Sequence, residues 1–129
     1  MARILSIDDD PDLQEIMAMA LRARSHEVHH AFNGEEGCEK ARAVSPDLII
    51  LDMMLPTLNG LEVLKILKDD PELQRIPVIV LSAFYGEGPF TERAMKELGA
   101  KEFLQKPVRL EDLSALIDCA LKARSTSAR

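Results

Sequence analysis

Apolar residues cluster in short blocks that recur along the chain: Ile4-Leu5-Ser6-Ile7, Val28 to Phe32 (broken by His29 and His30), Leu48-Ile49-Ile50-Leu51, Val78-Ile79-Val80-Leu81 and Lys101 to Leu104. The third and fourth blocks are continuous rather than alternating. Continuous Leu and β-branched runs of this length suit central parallel strands covered on both faces. Between the blocks the period changes to that of a helix. Leu13, Ile16, Met17, Ala20 and Leu21 share one helical face, and Leu110, Leu113, Leu116, Ile117, Ala120 and Leu121 share another. Asn33 and Asn59 each precede a Gly and have Glu three residues on, which predicts N-caps for helices over Gly34–Val44 and Gly60–Lys68. Pro71 and Pro77 bracket the loop before the fourth strand, and a helix from Thr91 to Leu98 stops at Gly99.

The order is β-α five times over. Such alternation predicts an α/β protein with a parallel sheet and right-handed crossovers. Five units in 129 residues suit a doubly wound, flavodoxin-like sheet of order 2-1-3-4-5 with five helices. Its switch point lies between strands 1 and 3, so chemistry is expected at their carboxyl ends. The chain is read as one domain over residues 1–123, with a frayed tail over 124–129.

Composition narrows the function. The net charge is −6, from 16 basic and 22 acidic residues, which argues against a direct nucleic-acid interface. No apolar run reaches the roughly 18 residues of a membrane span, and the first apolar run is too short for a signal peptide. A cytoplasmic location is expected. Cys38 and Cys119 have no metal-ligand spacing and fall on helices on opposite faces of the sheet. They are expected to be free, mostly buried thiols.

Chemistry gathers where the topology puts the carboxyl edge. Asp8, Asp9 and Asp10 follow strand 1, Asp52 follows strand 3, Ser82 follows strand 4 and Lys106-Pro107 follow strand 5. Asp10 precedes Pro11 and reads as the N-cap of the first helix. Asp8, Asp9 and Asp52 would repel one another unless a cation lay between them. Oxygen ligands without His or Cys select Mg²⁺ or a similar ion. A carboxylate beside Mg²⁺, a Lys and a Ser hydroxyl fits phosphoryl chemistry, with the carboxylate as nucleophile. His26, His29 and His30 read as polar residues of an edge strand rather than as phosphohistidines or a zinc site. Met17, Met19, Met53, Met54 and Met95 read as core and rim packing.

The motifs Ile7-Asp8-Asp9-Asp10-Pro11, Leu51 to Gly60, Leu81-Ser82-Ala83, Gly99-Ala100 and Phe103-Leu104-Gln105-Lys106-Pro107 together resemble the receiver domain of bacterial two-component response regulators. The resemblance covers residues 3–122, with every motif in order. It implies that Asp52 is the phosphoacceptor. It implies that Asp8, Asp9, Asp52 and the Met54 backbone carbonyl hold Mg²⁺, with Asp9 the direct ligand and Asp8 acting through water. Ser82 and Lys106 would grip the phosphoryl group, Phe103 would be the aromatic switch, and Lys106-Pro107 would carry a cis peptide. Met54 and Phe84 would flank the water that removes the phosphoryl group and slow its loss.

The implied partners are a histidine kinase or histidine phosphotransfer protein and a downstream protein target. The implied activity is signalling rather than enzymatic turnover, with no output domain in the chain. Two features depart from the pattern. The Ser82–Gly99 stretch is longer than usual by about two residues, which enlarges the loop Phe84–Phe90. Phe103 stands where Tyr is frequent, so the switch has no phenolic hydroxyl. A pseudo-receiver that only binds partners is the alternative reading. An Asp-nucleophile phosphatase fits poorly, because Met54 stands where such enzymes place a second Asp.

Overall fold

The structure, a computed structural model, describes residues 2–53, 55, 58–82 and 92–127. Five strands, β1 (Arg3–Ile7), β2 (Glu27–Ala31), β3 (Leu48–Asp52), β4 (Val78–Ser82) and β5 (Glu102–Gln105), alternate with five helices. These are α1 (Pro11–Ala23), α2 (Gly34–Val44), α3 (Gly60–Asp69), α4 (Glu92–Glu97) and α5 (Leu110–Ser127). All strand pairings are parallel and the order is β2-β1-β3-β4-β5, as the alternation predicts.

Alternating side chains on the strands feed two cores. Leu5, Ile7, Ile49, Leu51, Val78 and Val80 pack against α2, α3 and Met95 of α4. Ile4, Leu48, Ile50, Ile79 and Leu81 pack against α1 and α5. β3 and β4 are buried along their whole length, which is why their sequences do not alternate. Each fully buried Leu or Ile contributes about 1.5–3 kcal/mol, so these strands are the rigid centre of the molecule.

The helix starts follow their caps. Asp10 accepts from the N–H groups of Asp12 and Leu13, Asn33 from Glu36 and Asn59 from Glu62. Gly99 has φ +106°, a conformation that side chains with a Cβ rarely adopt, and it ends the α4 segment as expected. Gly60 is required for a different reason. A Cβ there would come within 2.6 Å of the Asp52 carbonyl oxygen and the Met53 Cα.

Several expectations shift. The buried face of α1 is Gln14, Met17, Ala18 and Leu21, leaving Ile16 52% and Met19 67% exposed. The two candidate stripes share Met17 and Leu21, and the buried hydrogen bonds of Gln14 decide between them. Met19 is therefore not a core residue, whereas Met17, Met53 and Met95 are. β5 starts and ends one residue later than its apolar block. α5 continues through Ser127, past the start of the expected tail at Arg124. Cys38 is buried, but Cys119 lies on the solvent side of α5, and both thiols are free. Met54 and the loop Phe84–Phe90 lie outside the described residues. Among the described residues, no helix is long and apolar enough to cross a membrane.

Candidate functional site

Parallel pairing of β1, β3, β4 and β5 carries their carboxyl ends to one rim. Asp8 follows β1 directly, its N–H donating to the Ala31 carbonyl at 3.0 Å. Asp52 and Ser82 are the last residues of β3 and β4, 3% and 0% exposed. Lys106 follows β5, and its N–H donates to the Ser82 carbonyl at 2.8 Å. The Lys106–Pro107 peptide is cis.

One carboxylate oxygen from each of Asp8, Asp9 and Asp52 lies within 4.8 Å of the others. Asp8 and Asp52 are buried and Asp9 is exposed, so the cluster opens to solvent on one side. The two oxygens of Asp8 are unequal. Oδ1 accepts the Asp10 N–H at 2.9 Å, whereas Oδ2 is buried without a hydrogen bond. The Lys106 ammonium stands 3.6 Å from Asp8 Oδ2 and 3.3 Å from Asp52 Oδ1. Among the described residues, Lys106 is the cation paired with this cluster, and it meets two of the three carboxylates. A buried carboxylate oxygen without a hydrogen-bond donor, in a residue clustered with two other carboxylates, suits a hard divalent cation such as Mg²⁺.

Phe103 on β5 is partly buried and packs against the core beneath α3 and α4. Its neighbour Leu104 points to the opposite core. Ser82 and Phe103 thus belong to adjacent paired strands. Met54 and Phe84 lie outside the described residues, so the geometry bears on neither. Of the three histidines, His26 precedes β2, and His29 and His30 lie on it, at the sheet edge. None belongs to the acidic cluster. His29 Nε2 instead meets Glu27 at 2.7 Å.

One residue beside the site has no signature in the pattern. Gln14 of α1 is 1% exposed, and its Nε2 lies 3.0 Å from the Ser6 carbonyl and 3.1 Å from those of Asp8 and Ala31. Its Oε1 is 2.9 Å from His30 Nδ1. The sequence signal is positional: Gln14 occupies the first place of an i, i+3, i+4, i+7 set with Met17, Ala18 and Leu21. A pattern that counts only apolar residues passes over it.

Comparison with known proteins points in the same direction as the geometry. The family model described as "Response regulator receiver domain" matches residues 4–118. The protein PilH of Pseudomonas aeruginosa is 36% identical over 122 residues, covering 94% of this chain and 98% of PilH. The polar-differentiation response regulator DivK of Brucella anthropi is 35% identical over 105 residues, covering 81% of this chain and 84% of DivK. The transcriptional regulator RpaA of Synechocystis is 34% identical, and there this chain spans 50% of the relative. Among solved structures, a putative response regulator from Chloroflexus aurantiacus is 29% identical with a TM-score of 0.85, covering 94% of this chain and 98% of that one. A CheY-like receiver domain protein from Methanospirillum hungatei has a TM-score of 0.90 at 24% identity, covering 98% of each chain, and supports the fold.

Proposed function

We propose, for a chain that belongs to the response regulator receiver domain family, that Asp52 accepts a phosphoryl group in a Mg²⁺-dependent transfer and that this switches binding to a downstream protein. The donor is a phosphohistidine of a histidine kinase or histidine phosphotransfer protein. A bond forms between an Asp52 carboxylate oxygen and phosphorus, the phosphorus–nitrogen bond breaks, and its electron pair returns to the donor imidazole. Receiver domains are signalling modules, and this one is read as a switch rather than a turnover enzyme.

The observation that carries the proposal is the convergence of Asp8, Asp9 and Asp52 with the Lys106 ammonium 3.3 Å from Asp52. Asp8, Asp9 and Asp52, with the Met54 carbonyl, would hold Mg²⁺. Bound there, Mg²⁺ would neutralise charge on the transferring phosphoryl oxygens. Lys106, 3.3 Å from Asp52, would supply a second positive charge. Ser82 would donate its hydroxyl to a phosphoryl oxygen, and its movement would draw Phe103 inward. A preorganised donor aimed at developing charge can lower a barrier by about 3–4 kcal/mol, the scale known for oxyanion holes.

The test is labelling by acetyl phosphate, or beryllofluoride titration, with and without Mg²⁺. The wild type should respond only with Mg²⁺, and Asp52→Asn should not respond. Full labelling of Asp52→Asn would overturn the assignment. A pseudo-receiver finds no support, because the carboxylates, hydroxyl and ammonium are all present and the carboxylates are already gathered.

A further inference from the structure

Gln14 has an amide nitrogen with two hydrogens and three carbonyl oxygens around it at 3.0–3.1 Å. One hydrogen is therefore shared between two acceptors. An amide oxygen turned toward those three carbonyls would repel them, so the nitrogen must face them. The oxygen then faces His30 Nδ1 at 2.9 Å, and that nitrogen must carry a hydrogen. His30 retains the hydrogen whether its other nitrogen is protonated or not.

The Asp8 carbonyl held in this way belongs to the peptide that joins Asp8 to Asp9. Fixing that carbonyl fixes the plane of the peptide. The plane sets how the side chains on either side of it, those of Asp8 and Asp9, diverge, and those are two of the three clustered carboxylates. The same amide ties this peptide to the ends of β1 and β2 through the Ser6 and Ala31 carbonyls.

We propose that Gln14 is a positioning residue for the metal-binding carboxylates, and that His30 keeps its amide turned the productive way. This rests on the reading that Asp8, Asp9 and Asp52 take Mg²⁺. His30 donates to the amide oxygen and so reinforces the orientation the three carbonyls select; its role is exerted through Gln14 and not through contact with the metal.

The test is Mg²⁺ titration of the full chain, followed through the ¹H–¹⁵N resonances of Asp9 and Asp10 at a temperature where each variant is folded. Gln14→Met keeps the length of the side chain and loses both donors. It should weaken Mg²⁺ about tenfold, the usual cost of losing a group that orients a metal ligand. His30→Leu removes the donor to the amide oxygen and should weaken Mg²⁺ by less than Gln14→Met does. His30→Asn places an amide nitrogen near the position of Nδ1 and should restore wild-type affinity. A purely structural role would lower the melting temperature of Gln14→Met and leave its Mg²⁺ affinity unchanged, which would overturn the proposal. If Gln14→Met does not fold, the His30 pair decides: equal affinity in His30→Leu and wild type, or a loss that His30→Asn does not restore, overturns it. A wild type that binds no Mg²⁺ at these resonances would instead remove the metal-site reading on which the proposal stands.

Discussion

The Lys106 ammonium lies 3.3 Å from Oδ1 of Asp52 and 3.6 Å from Oδ2 of Asp8, bridging the ends of β3 and β1 from a position after β5. It compensates part of the charge of a cluster whose two inner carboxylates are almost wholly buried. Lys106→Met should lower the stability of the metal-free protein by about 1–3 kcal/mol, less than for a fully enclosed pair because the lysine is partly exposed. Mg²⁺ should recover most of that loss. Thermal unfolding with and without Mg²⁺ checks this, and an unchanged metal-free midpoint would count against it.

Asp9 has the opposite sign. It is the exposed member of the acidic cluster and adds repulsion, while among the described residues the Lys106 ammonium pairs with Asp8 and Asp52. Asp9→Ala should stabilise the metal-free protein by about 1 kcal/mol, the scale of two charges a few ångströms apart near water. The same change should weaken Mg²⁺ and block labelling of Asp52. Unchanged Mg²⁺ affinity would place the metal elsewhere.

His30 should give stability a pH dependence. Burial, with smaller contributions from Arg22, Lys40 and His29, holds its pKa below the ordinary value of 6.5. Between the lowered native value and 6.5 the unfolded chain binds more protons than the folded one. Stability contributed here is therefore complete above 6.5 and is lost as pH falls toward the native value. Urea unfolding of wild type and His30→Asn at several values between about pH 5 and pH 7 should show a steeper fall for the wild type. Parallel curves would show that His30 titrates alike in both states.

The phosphoryl group on Asp52 should persist for minutes to hours. Hydrolysis needs a water in line with the bond to phosphorus. Met54 and Phe84, two residues beyond Asp52 and Ser82, can neither orient nor deprotonate one. The double variant Met54→Asn, Phe84→Glu should lose phosphate faster than the wild type. An equal dephosphorylation rate would remove these positions from the account.

Most of the fold was legible because its signals are local and mutually consistent. Apolar runs marked the strands, Asp10, Asn33 and Asn59 marked helix starts, and the β-α order left few topologies. The rim residues followed from that topology, since every strand end meets the same edge. What escaped depends on hydrogen bonding across elements. Gln14 is polar, so a hydrophobic pattern assigns it to solvent, yet it is buried by carbonyls contributed from β1, β2 and the loop after β1. That contact turns α1 and leaves Ile16 and Met19 outside. Gly60 showed in the sequence as the residue after an N-cap. Its close approach to the Asp52 carbonyl appears only once α3 is laid against β3.

The strands differ in how much they are enclosed, and this divides the site by stiffness. Asp8 follows β1 and Asp52 ends β3, strands that are paired on both sides and packed on both faces. Lys106 and Phe103 belong to β5 and its end, a four-residue edge strand that is only half-buried and paired on one side. Amide hydrogen exchange should accordingly be slowest along β3 and β1 and faster along β5. A charge change at Asp52 cannot easily move the floor on which it sits. It would meet less resistance at β5, the thinly packed edge strand from whose end Lys106 reaches Asp52.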